Sequence, residues 1–141
     1  MSTNSSFKLS LIVASMLAVS SSFAADKMNK DDYKAAKDKI SADYKAAKDA
    51  CNGMKDNAKD VCEKEAKAKE KVALAELDFN RSGKESDRIK AEKVKAEQEY
   101  AVAKEKCEDK KGADERACKK DAKAAEAKAK ADIKAEKKAT S

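Results

Sequence analysis

Histidine, proline and tryptophan are absent from the sequence, glycine occurs three times, and aromatic residues make up 4%. Without histidine there is no imidazole to act as a general base near neutral pH or as a nitrogen ligand to a metal. There is no glycine-rich phosphate loop, and no serine or cysteine stands beside an evident base. The chain therefore reads as a non-enzyme with no catalytic, cofactor-binding or metal-binding residues. Without proline, and with so little glycine, few positions can interrupt a helix. Large apolar side chains are scarce too: after Ala24 only ten Ile, Leu, Val or Phe remain, too few for a thick core.

The first residues differ from the rest. Lys8 precedes an apolar run from Leu9 to Val19, and a small-residue stretch ends Ser22-Phe23-Ala24-Ala25. This is the layout of a secretory signal peptide, residues 1–24, with cleavage expected after Ala24. The run is well short of the roughly 20 residues that span a bilayer, and no cysteine follows it closely enough to receive a lipid. The expected product is a periplasmic protein with no transmembrane segment after processing.

Beyond the leader the chain is dominated by Ala, Lys, Glu and Asp. Ala, Lys and Glu favour helix, so the expected fold is all-α with a thin, alanine-rich core. Tyr44, Cys51 and Cys62 recur as Tyr100, Cys107 and Cys118 at a constant offset of 56. Hence two repeated units are expected, residues 25–80 and 81–141. The hexapeptide Tyr33–Asp38 also recurs letter for letter as Tyr44–Asp49, eleven residues on. Eleven residues make about three helical turns, so such a stripe keeps to one face and suits a coiled-coil-like seam. One seam runs Tyr33, Ala36, Ile40, Tyr44, Ala47, Cys51; the other runs Ile89, Glu92, Ala96, Tyr100, Ala103, Cys107.

If a helix ran unbroken through each cysteine pair, its sulfurs would lie about 16 Å apart and could not join. If the chain turns there, each pair closes a hairpin. Gly53 and Gly112 fall inside the two pairs and Gly83 between the two Tyr–Cys–Cys cassettes, where four helices need turns. The expected helices run near 29–51, 57–78, 85–107 and 113–137. Asp56 or Asn57 is the expected N-cap of the second, and Ser82 with Glu85 a capping box for the third. Four cysteines allow three pairings. The even count, the export leader and the thin core favour two disulfides, Cys51–Cys62 and Cys107–Cys118. Facing residues in the first hairpin then include Ala47 with Ala66, Ile40 with Ala73 and Ala36 with Leu77. In the second they are Ala103 with Ala122, Tyr100 with Ala125 and Ala96 with Ala129. A four-thiolate zinc site or a redox site would call for Cys-x-x-Cys spacing, which does not occur.

Tyr33, Tyr44 and Tyr100 fit as interface fillers among the alanines. Most carboxylates alternate with lysines at helical spacing, as on a solvated face. Residues 25–80 carry 13 basic and 13 acidic residues, a net of zero, and residues 81–141 carry 19 and 14, a net of +5. The excess gathers in the last helix, where Lys119, Lys120, Lys123, Lys128, Lys130, Lys134, Lys137 and Lys138 form a possible weak site for anionic envelope components. Nucleic acid is a poor fit, since acids interrupt the basic run and no aromatic group lies within it.

The string Asn57–Cys62, the two Tyr-Lys-Ala-Ala-Lys-Asp copies and the duplicated cysteine pairs resemble a group of small, secreted, Ala/Lys-rich helical proteins of Gram-negative bacteria. Members are often labelled TolA-like or cell-envelope biogenesis proteins. The likeness to the TolA stalk is one of composition, and the resemblance implies an envelope location and a helical fold but no functional residue. Three functions are weighed: a structural or protein-interaction module of the periplasm, a holdase that binds unfolded clients on an alanine and tyrosine face, and a binder of anionic envelope components. Partner helices or self-association suit the first, and a client-aggregation assay separates the second. If disulfides hold the hairpins, reduction should lower the helical signal in circular dichroism; unchanged helix content with all four thiols free would contradict it.

Overall fold

A computed structural model describes residues 28–139, all of the regular structure in them helical. The leader and its cleavage point lie outside the described residues. Four helices follow one another: α1 Lys30–Ala50, α2 Asp56–Ser82, α3 Glu85–Lys106 and α4 Gly112–Ala139. Single 3-10 turns at Cys51–Gly53 and Cys107–Asp109 close the hairpins α1/α2 and α3/α4. Each hairpin is pinned by the expected disulfide, Cys51–Cys62 with Cα atoms 5.8 Å apart and Cys107–Cys118 with 5.7 Å. Cys51 and Cys107 are the most completely buried side chains.

The helices form an open row. α1 packs on α2, α2 on α3 and α3 on α4, and the two outer helices share no comparable interface. The α2–α3 contact between hairpins is the most extensive. No residue of α1 is fully buried. The buried apolar residues are four alanines, two isoleucines, one leucine and the two cysteines, which is the thin alanine-rich core expected. Among the described residues Ile89, Ala96 and Ile133 form a buried cluster, with Ala129 packed against it. Ala75 and Ala91 are also buried, though they lie on neither cysteine seam. The seam stepping did not reach them.

The ends of the helices show where local rules gave way. α2 continues to Ser82, past the expected end near 78, and stops at Gly83, whose left-handed backbone (φ 62°) lets its N–H reach the Phe79 carbonyl. Neither Asp56 nor Asn57 caps α2: Lys55 holds the N-cap position with no side-chain bond. Asn57 instead donates its side-chain amide to the Glu105 carbonyl at 3.2 Å, tying the start of α2 to the end of α3. The Ser82/Glu85 capping box does not form. Ser82 Oγ accepts from the Lys84 N–H and donates to Asp87, while Glu85 pairs with Arg88. Asn57 and Glu85 are thus each engaged by a partner other than the expected cap.

Asp56 (φ 50°) and Gly112 (φ 61°), 56 residues apart, both begin a helix in the left-handed region, so the two hairpins turn alike although only one uses glycine there. Gly53 does not need that freedom, and a Cβ added there meets open space. Gly112→Ala should therefore destabilise by about 1–2 kcal/mol, whereas Gly53→Ala should be neutral or stabilising by up to about 1 kcal/mol. Urea unfolding of the two oxidised variants checks the contrast; equal losses would contradict it.

Candidate interaction grooves

The register imposed by each disulfide places a lysine over a tyrosine ring. Lys67 Nζ lies 4.8 Å from the Tyr44 ring centre and pairs with Glu70 at 2.7 Å. Fifty-six residues on, Lys123 Nζ lies 4.9 Å from the Tyr100 ring and pairs with Glu126 at 2.9 Å. Each lysine thus roofs an aromatic ring while answering a carboxylate in the seam, a cation–π contact joined to a charge-assisted hydrogen bond. The seam of α4 therefore passes through Glu126, only 7% exposed, and not through Ala125, which is exposed and does not serve as the expected mate of Tyr100. Lys130 adds a second bond to Glu126 at 2.9 Å. These two lysines, Lys130 foremost, hold the Glu126 carboxyl below the usual range against the opposing effect of burial. A seam built from apolar stepping alone misses this residue because its cost of burial is offset by two cations on its own helix.

The eight lysines of the expected anionic site divide between ion pairs and one groove. Lys119 is drawn to Glu108 and Glu115, Lys123 and Lys130 to Glu126, Lys130 also to Glu97 across the α3–α4 interface at 3.1 Å, and Lys128 to Asp132. Lys120 stands exposed on its own. Lys134, Lys137 and Lys138 gather instead at one groove between α3 and α4 together with Lys93 of α3. That groove, about 740 Å³, has Ile89 and Ile133 at its floor, and Lys130 and Glu97 complete its lining. Sequence reasoning confined to α4 could not find Lys93 or Ile89, since only the antiparallel register brings them there.

A second groove of about 600 Å³ runs between the hairpins, along α2 and α3. Ala68, Val72 and Ala73 of α2 face Val102 and Ala103 of α3 across it. Glu65, Lys69 and Glu76 rim one side and Lys95, Glu99 and Lys106 the other, with Gln98 between them. Glu65 and Lys106 join across its end at 2.6 Å. A smaller groove between α1 and α2 is lined by Ile40, Tyr44, Ala47, Ala66 and Ala73, residues of the first seam. Lys69 and Ala73 line both, so the two troughs adjoin.

Among the described residues no helix is long and apolar enough to cross a membrane, and no group of three or more Cys, Asp or Glu is placed to hold a metal. Comparison with known protein families, with curated proteins and with solved structures finds no match.

Because the folded Glu126 carboxyl titrates below its unfolded value, its pairing contributes stability in full above the ordinary glutamate pKa of about 4.3, and that contribution fades as pH falls through the lowered folded value. Glu126→Gln removes this part of the acid sensitivity. Thermal unfolding followed from neutral pH downward should show a shallower fall for the variant below about pH 4; parallel curves would contradict the assignment.

Proposed function

We propose that this chain is an exported, non-enzymatic protein-interaction module of the cell envelope, in keeping with its resemblance to secreted Ala/Lys-rich envelope proteins. Two disulfides suit an oxidising compartment such as the periplasm. The observation that carries the interaction reading is the α2–α3 groove: valines and alanines lie open at the centre of a row of helices that has few large apolar residues to spare. From Glu65 to Glu76 it extends about 16 Å, three helical turns, a seat of the kind that receives helices.

The occupant that its rim favours is a second copy of the same groove. Glu65 lies opposite Lys106, and Glu76 and Lys95 sit at the other end of the lining. A two-fold axis along the groove lays α2 of one copy over α3 of the other, so Glu65 meets Lys106 and Glu76 meets Lys95 across the interface. An axis across the groove would instead set Glu65 against Glu76 and Lys106 against Lys95. The parallel arrangement buries Val72 and Val102 and pairs opposite charges in the same step.

Sedimentation of the oxidised protein should show a concentration-dependent dimer, and Val102→Glu should return it to monomer with its helix content kept. A wild-type protein that stays monomeric at every concentration, or a dimer indifferent to Val102→Glu, would rule out this use of the groove.

A further inference from the structure

The two hairpins share a plan, and at one place they diverge in a way that opens a site. Shifting the lining of the α3–α4 groove back by 56 residues takes Ile89 to Tyr33, Lys130 to Leu74, Ile133 to Leu77, Lys134 to Asp78 and Lys138 to Ser82. In the first hairpin Tyr33 spans this position. Its hydroxyl donates to Asp78 at 2.7 Å and its ring lies 4.4 Å from the Arg81 guanidinium carbon, so the space between α1 and the end of α2 is taken by an aromatic plug bonded at its rim. In the second hairpin the plug is replaced by a shorter isoleucine. The acceptor of its hydroxyl has become Lys134, and Leu74 has become Lys130. What remains is an opening of about 740 Å³ with a buried Ile89–Ile133 floor. Five lysines and a single glutamate line it.

We propose that the α3–α4 groove binds a single-chain amphiphile with an anionic head, an alkyl or acyl chain carrying a phosphate or carboxylate. The apolar floor takes the chain where the first hairpin has the Tyr33 ring. Lys93, Lys134 and Lys138, all exposed at the rim, take the head. Lys130 is held between Glu97 and Glu126 and fixes one wall. Both halves of the ligand are needed: exposed lysines alone bind small anions weakly in water, and the floor alone offers two isoleucines, whereas an acyl chain gains from each methylene removed from water while its head answers the excess positive charge. This groove lies between α3 and α4, apart from the α2–α3 groove, and its use does not depend on pairing of the chain.

The test uses the oxidised full chain and three probes measured by calorimetry at physiological salt: octyl phosphate, inorganic phosphate and uncharged octyl glucoside. Octyl phosphate should bind one per chain, and each of the other two at least about tenfold more weakly. The paired substitution Ile89→Tyr with Lys134→Asp restores the plug that the first hairpin already folds around, and it should abolish octyl phosphate binding with helix content unchanged. Lys93→Gln with Lys138→Gln, both on the exposed rim, should weaken octyl phosphate about tenfold and leave octyl glucoside unaffected, and this pair serves if the plugged variant fails to fold. Equal binding of inorganic phosphate, equal binding of octyl glucoside, no binding of octyl phosphate, or full binding by either folded variant would each overturn the proposal.

Discussion

Two covalent links carry the constraint on which the rest of this structure depends. A row of helices rich in alanine has little shape to hold a unique register, because alanine meets alanine almost equally well one turn along. α1 illustrates this, since none of its residues is fully buried and it touches chiefly one neighbour. Joining Cys51 to Cys62 and Cys107 to Cys118 at the closed end of each hairpin removes the freedom to slide. Each link also shortens the loop available to the unfolded chain, a stabilisation of about 3 kcal/mol in the chain-entropy view, whose mechanism is model-dependent. Given that register, Lys67 falls over Tyr44 and Lys123 over Tyr100, and the carboxylates Glu70 and Glu126 become tolerable in the seam.

The open row has a functional consequence. In a closed bundle of four helices the apolar stripes face one shared interior, whereas here each helix spends its stripe on one or two neighbours and leaves the troughs between them reachable. The α2–α3 groove is an apolar opening of this kind, and it lies where the two disulfide-closed units meet. A module that works by receiving another helical surface fits this arrangement, with rim charges of both signs setting orientation and the valines supplying the contact.

The two hairpins correspond at an offset of 56 residues and differ at a few side chains. Their turns, disulfides and tyrosine–lysine–glutamate clusters coincide at the same offset, so the backbone frame is common to both. Within that frame the second hairpin has Ile89, Lys130 and Lys134 where the first has Tyr33, Leu74 and Asp78, so it lacks the aromatic filler and carries cations at the corresponding place. A protein needing only stability would gain from keeping the tyrosine. Its loss goes with added positive charge at the α3–α4 groove, the difference on which the proposed amphiphile site rests.

Much of the fold was legible from local rules. Missing proline, sparse glycine, helix-favouring composition and the spacing of the cysteines sufficed for four helices, their turns and both disulfide pairings, because each rests on interactions within a few turns of one chain segment. Gly83 could be placed in the turn after α2, although the helix runs on to it past the expected end near 78. Other features depended on residues far apart in sequence meeting: the use of Asn57 by Glu105 in place of a cap, and the burial of Glu126 in the seam instead of Ala125. The dispersal of the lysines is the clearest case. Their number on α4 could be counted along the chain, but which of them carboxylates would engage, and which would join Lys93 above Ile89 and Ile133, was decided by the antiparallel register of α3 against α4, since ionic pairing acts through distance in space rather than order in the chain.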